Sequence, residues 1–188
     1  KAPFLAKALP WVGHFQTRNR GTVCGSIAHA DPSSELPLSL ALLGGDVILK
    51  SRTGTRILKA AAFQQGMLQT ARQGDELITA VRFPISVGQK GTAFREVSRR
   101  HGDFAIVAIG VLVLDSGALR LGVGGVADKP ATLELPATAS PDDYQDMIET
   151  FAWQLGGFDD IHASARYRRD LLRRLGPQLI AEAKACAA

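Results

Sequence analysis

The chain has 188 residues, of which 46% are hydrophobic and 21% charged. That is globular composition, and it excludes a largely disordered chain. Lys and Arg number 22 against 18 Asp and Glu, a net charge of +4, too mild a bias to imply nucleic acid on its own.

In chain order, Phe4 to Leu9 reads as helix. The chain begins at Lys1 with no initiator Met, so it is expected to enter its fold partway along. Asn19 to Ser26 is a Gly-punctuated turn. Asp31 to Ser34 supplies N-cap candidates for a helix from Glu35 to Leu43, with Pro37 early and Gly44-Gly45 as the stop. Asp46 to Lys50 and Arg56 to Ala60 predict strands joined by a turn at Thr53-Gly54, and Ala61 to Gly66 a short helical turn. Glu76 to Phe83 predicts another strand, ended by Pro84. Residues 84–91, with Pro84, Gly88 and Gly91, form the candidate linker.

Beyond the linker, Thr92 to Ser98, Phe104 to Leu114 and Ala118 to Val126 predict strands, the last two joined at Asp115-Ser116-Gly117. A helix capped by Ser140, with Pro141 at its first position, runs to Leu155 and stops at Gly156-Gly157. His162 to Leu175 and Pro177 to Lys184 predict two further helical segments, broken at Pro177. The pattern is α+β. Its longest apolar run, Ala105 to Leu114, is half of the roughly 20 residues a membrane-spanning helix requires. Cys24 and Cys186 are the two cysteines. They are too few for a 2Fe-2S cluster or a four-cysteine zinc site, and they favour a reducing, cytoplasmic setting.

Several stretches invite a chemical reading. From Arg18 to Pro32, glycines beside Thr22 and Ser26 allow backbone N–H groups and hydroxyls to converge on a phosphate. Glu35, shortly after, is the type of residue that accepts hydrogen bonds from ribose. The plain alternative is an ordinary Gly turn capped by Asp31. Arg99-Arg100-His101-Gly102-Asp103 has the charges to hold an anionic ligand edge or a partner surface, and equally to be a solvated strand end. Gly122 to Ala127 fits G-x-G-x-x-A, but Pro130 and Pro136 forbid the helix a dinucleotide motif needs. His14, His29, His101 and His162 are too scattered for a metal set. The arginines 166, 168, 169, 173 and 174 interleave with Leu171, Leu172 and Leu175, so they read as a solvated or subunit-facing rim.

The wording of these stretches adds a resemblance. Val12-Gly13-His14-Phe15-Gln16-Thr17-Arg18-Asn19-Arg20-Gly21-Thr22, then Ser26-Ile27-Ala28-His29-Ala30-Asp31-Pro32, resembles the FAD-binding medium subunits of molybdenum hydroxylases, the carbon monoxide dehydrogenase and xanthine dehydrogenase class. The resemblance continues through Asp75 to Pro84, Ala93 to Ala105, Gly124 to Pro130 and Ala163 to Arg169, in the family's order.

The resemblance implies the second subdomain of a two-subdomain FAD-binding fold at residues 1–86. A C-terminal flavoprotein domain follows at 87–188, an antiparallel sheet with a helical bundle. No counterpart of the family's first FAD loop is present, so the first subdomain is expected to be missing. By motif match, Thr22, Gly25 and Ser26 would face the FAD pyrophosphate, His29 would lie near the cofactor, and Glu35 would take the ribose side. Asp103 and Phe104, with Ile106, are carried over as flavin neighbours, and the Gly124–Asp128 segment as a sheet edge close to the flavin. Cys24 stands where the family has Gly, narrowing the close approach of a phosphate.

The implied function is an FAD-binding electron-transfer subunit of a molybdenum-dependent hydroxylase. It would pass electrons from 2Fe-2S clusters through FAD to an external acceptor. The molybdenum cofactor and the clusters would sit on a large molybdenum-binding subunit and a small iron–sulfur subunit. The chain alone is expected to be inactive, and it carries no catalytic side chain. The alternative is a non-redox interaction module of the same fold that has lost FAD. No nucleic acid and no membrane span are expected.

Overall fold

The computed structural model describes residues 2–187. Four short helices open the chain. They are α1 (Pro3–Ala8), α2 (Phe15–Arg20), α3 (Val23–His29) and α4 (Glu35–Leu43), with a 3-10 turn at Leu9–Trp11. The predicted Gly turn at 19–26 is therefore two helices split at Gly21. Its glycines mark a helix end and a first helical turn, where they serve as well as in a loop.

Helix α4 is buried on every side except at the half-buried Ala41, and apart from Glu35 and Ser39 its residues are apolar. Leu36 and Leu40 join Val47, Leu49 and Phe63 in one core, and Leu38, Leu42 and Leu43 join Phe4, Phe94 and Leu112 in another. This helix thus stands between two sheets.

The first sheet is antiparallel, in the order β2 (Thr55–Lys59), β1 (Asp46–Lys50), β5 (Leu77–Arg82). Arg56 grips the buried Glu76 through two hydrogen bonds of 2.5 and 2.8 Å, which hold that carboxyl down at about 2. The predicted helical turn at 61–66 is shorter than expected. Helix α5 (Ala60–Phe63) gives way to a hairpin of β3 (Gln64–Gly66) and β4 (Gln69–Thr70).

The second sheet is an antiparallel meander of β6 (Gly91–Val97), β7 (Val107–Val113), β8 (Leu119–Gly124) and β9 (Ala131–Leu135). Every residue of β7 is buried, because side chains alternate between two covered faces. Ile109 and Val111 meet Tyr144, Ile148 and Leu172, whereas Ala108 and Leu112 meet Phe4 and α4. At Gly110 a Cβ would lie 2.6 Å from both Phe4 and Leu42, so only glycine lets α1 and α4 approach so closely. Strand β9 escapes the sequence pattern because Pro130 and Pro136 flank it at each end.

Helix α6 (Pro141–Gln154) starts in a full capping box between Ser140 and Asp143. Helix α7 (Ala165–Ala185) packs beside it, and the predicted break at Pro177 does not occur. A proline inside a helix costs about 3 kcal/mol. Burial of Leu172, Leu179, Ile180 and Ala183 on one face of α7 offsets that cost. Arg168, expected on a solvated rim, is instead 1% exposed. The architecture is α+β throughout, and no helix among the described residues is long and apolar enough to cross a membrane.

Candidate functional site

A cleft of about 1020 Å³ opens between α2 and α3 on one side and the loops after β6 and before α7 on the other. Thr22, Gly25, Ser26, His29, Glu35, Asp103 and Phe104 all line it, and so does Ile106. Residues separated by some eighty positions in sequence are thus brought to one cavity.

The helical wall is built by local contacts. Arg18 Nη1 donates to the carbonyls of Pro10, Val12 and Gly13 at 3.2, 3.3 and 3.2 Å, pinning the turn before α2. Thr22 is extended and caps α3, its Oγ1 accepting the Gly25 N–H at 2.9 Å. A Cβ at Gly25 would stand 2.9 Å from that hydroxyl, so glycine keeps the cap in place. Cys24 lies in the regular first turn of α3, half-buried, where a side chain strains nothing.

Glu35 is the first residue of α4 and only 5% exposed. Burial raises its carboxyl, with its own backbone N–H working in the opposite direction. Glu96 on β6 is also buried. Burial, then the neighbouring Glu35, push it up to about 8, so it stays protonated at neutral pH. Neither carboxyl has an ion-pair partner among the described residues. Both Glu96 carboxyl oxygens are buried without a hydrogen-bond partner among the described residues, which fits a protonated carboxyl packed behind Glu35.

The loop wall comes from residues 98–106. His14 Nε2 lies 3.0 Å from Asp103 Oδ1, joining the two walls across the cleft. That contact, together with Arg100 at 3.5 Å, holds Asp103 below the usual carboxylate range. Gly102 has φ +92°, and a Cβ there would stand 2.8 Å from His14 Nδ1. Glycine is what lets the loop close on the imidazole. The rings of Trp11 and His101 stack 4.9 Å apart beside it. Phe104 is 59% exposed, an aromatic face left open at the cleft.

Among the lining residues that the sequence reading did not name as site residues are His14, Arg20 and His162. His14 had a signal, since it sits in the Val12-Gly13-His14 segment ahead of the glycine turn. Arg20 is a cation without an ion-pair or hydrogen-bond partner among the described residues. His162 had no signal, because a loop distant in sequence carries it to the cleft.

A family model described as the FAD binding domain in molybdopterin dehydrogenase matches residues 1–86. The medium subunit of nicotine 6-hydroxylase from Paenarthrobacter nicotinovorans is 34% identical over 193 residues, covering 97% of this chain and 68% of that one. The chain belongs to the FAD-binding medium subunits of the molybdenum hydroxylases. The glyceraldehyde dehydrogenase medium chain of Sulfolobus acidocaldarius is 32% identical over 185 residues, covering 93% of this chain and 66% of that one. Among solved structures, quinoline 2-oxidoreductase from Pseudomonas putida 86 superposes with a TM-score of 0.86 at 28% identity, over 99% of this chain and 68% of that one. The chain thus spans about two thirds of the length of these medium-subunit relatives.

One expectation for this medium-subunit fold needs correction. Of the Gly124–Asp128 segment only Gly124 belongs to a strand, at the end of β8 between β7 and β9, and 125–128 form the bend beyond it. A Cβ at Gly124 would meet the Pro32 carbonyl at 2.9 Å, and Gly125, at φ +81°, donates its N–H to that same carbonyl at 2.8 Å. These glycines seat the segment before α4 on the sheet.

The lining suits a flavin dinucleotide. It combines hydroxyls and cations (Thr22, Ser26, Arg20, Arg99) with apolar surface (Leu9, Val12, Phe104, Ile106). That is the donor set a pyrophosphate and a flat apolar ring ask for. The volume is at the upper end of small-molecule sites.

Proposed function

We propose that the chain is the distal part of an FAD-binding electron-transfer subunit in a molybdenum-dependent oxidoreductase complex. Residues 1–86 would form the second subdomain of the FAD domain and residues 87–188 the C-terminal flavoprotein domain. The observation that carries this reading is the convergence of Thr22, Gly25, Ser26, His29, Glu35, Asp103 and Phe104 on one cleft. Family membership supports the choice of ligand.

In this reading the chain binds and orients. Thr22 and Ser26 offer hydroxyls to the pyrophosphate, and Arg20 and Arg99, which have no ion pair among the described residues, supply positive charge. Glu35 and His29 border the ribose side. Phe104 and Ile106 would cover the apolar ring from the loop wall, and the His14–Asp103 contact holds the two walls together. FAD, when bound, supplies the capacity to take up electrons from an iron–sulfur donor and release them to an acceptor. The molybdenum cofactor and 2Fe-2S clusters are assigned to a large and a small partner subunit, as two cysteines on this chain are too few to hold a cluster.

A non-redox module that keeps this fold without FAD is not favoured, because residues 1–86 match an FAD binding domain and Thr22, Gly25, Ser26 and Glu35 all line the cleft. The test is to purify the complete gene product and look for the yellow absorbance of oxidised flavin, adding FAD where it is absent. Retention of one FAD per chain is the expected result. A folded, colourless product that takes up no FAD would overturn the proposal.

A further inference from the structure

Arg168 is fully desolvated, and its guanidinium holds three separate segments of the chain. Nη1 donates to the carbonyl of Ile106 at 2.6 Å and to that of Gly125 at 2.8 Å. Nη2 donates to Asp160 Oδ2 at 2.6 Å, and the guanidinium plane lies 4.3 Å from the Phe158 ring centroid. The other oxygen of Asp160 accepts from the backbone N–H groups of His162 and Ala163 at 2.8 and 2.9 Å. Burial opposes the charge on Asp160, but those N–H groups and Arg168 together hold its carboxyl below the usual range.

Two of the tethered residues, Ile106 and His162, line the cleft, and Gly125 donates to Pro32 just ahead of α4. We propose that Arg168 is a positioning residue for the cleft. Through Ile106 it sets the loop that presents Asp103 and Phe104, and through Asp160 it sets the loop that presents His162. The link to FAD rests on the reading of the cleft as a flavin site, whereas the tethering of the two loops does not.

The chemistry suits arginine alone. Nη1 of the planar fork reaches the two carbonyls while Nη2 reaches the carboxylate, whereas a lysine carries its three donors on one nitrogen and cannot stand in both positions. Arg173, five residues further along the same helix, gives the contrast. It pairs with Glu149 at 2.8 Å and Asp170 at 3.2 Å, joining α6 to α7, and neither partner lines the cleft.

Three variants of the complete gene product test the assignment. Arg168→Lys removes the fork. Asp160→Asn is milder, because its remaining carbonyl oxygen still accepts from His162 and Ala163, while the new amide meets Arg168 donor to donor. Arg173→Gln serves as the stability control. Without FAD, Asp160→Asn and Arg168→Lys should raise amide exchange at residues 103–106 and 158–163 by about tenfold, and Arg173→Gln should leave both segments unchanged. With FAD, the first two variants should release the flavin about tenfold faster and alter its visible circular dichroism.

If Arg168→Lys fails to fold, Asp160→Asn carries the test alone. Wild-type exchange in both segments of Asp160→Asn overturns the proposal, as does equal loosening in Arg173→Gln. Loosened loops in a wild-type background that never binds FAD would uphold the positioning role and sink the cofactor reading.

Discussion

The two walls of the cleft are made in opposite ways. The helical wall is held by contacts between near neighbours in sequence: Arg18 on carbonyls five to eight residues back, and Thr22 on the N–H three residues ahead. The loop wall is held by Arg168, 62 residues from Ile106 and 43 from Gly125. A wall built locally keeps its shape as long as its own turns persist. A wall built at long range exists only while the whole second sheet and α7 are assembled, so the two should fail separately.

The largest effect is expected at the long-range end. Arg168→Ala removes every donor to two buried carbonyls and leaves Asp160 without its cation. It should cost about 3 kcal/mol or more in urea unfolding, with the midpoint shifted and the slope kept. An unchanged midpoint would erase the distinction between the walls. At the local end, Thr22→Ala should cost about 1 kcal/mol, the usual value of an N-cap, with faster amide exchange confined to α3. Spread of that effect into residues 98–106 would mean the walls are coupled more tightly than their bonds suggest.

The smallest effect at pH 5 lies beneath the cleft, at the Glu35–Glu96 pair, and it grows as pH rises. A buried carboxyl raised to about 8 stays protonated in the folded chain. The same group is ionised in the unfolded chain above its ordinary value near 4.5. Between those limits the unfolded state has released a proton that the folded state keeps, so stability falls as pH rises. Glu96→Gln should flatten that slope, leaving the melting temperature near wild type at pH 5 and raising it at pH 9. Parallel curves for the two proteins would refute the protonated assignment.

What could be read in advance divides along the same line. The cap at Ser140, the helix from Glu35 to Leu43 and the pairing of 46–50 with the strand after Gly54 rest on local chemistry, and each is where the residues indicate. The cleft residues Thr22 to Glu35 were legible as one stretch for the same reason. The burial of Arg168 was not, because helical spacing alone places an arginine between leucines on a rim. Only the packing of α7 against β7 turns it inward. Pro177 misled in the same sense: a local rule breaks the helix there, and the buried face of α7 overrides it. His162 reaches the cleft through the Asp160 loop, a connection that no periodicity encodes.

Hydrogen exchange on the complete gene product, with and without FAD, tests the central claim most directly. If FAD lies between the two walls, its addition should protect residues 22–29 and residues 102–106 together. Tight binding of FAD that leaves either segment exchanging as in the free protein would contradict the account.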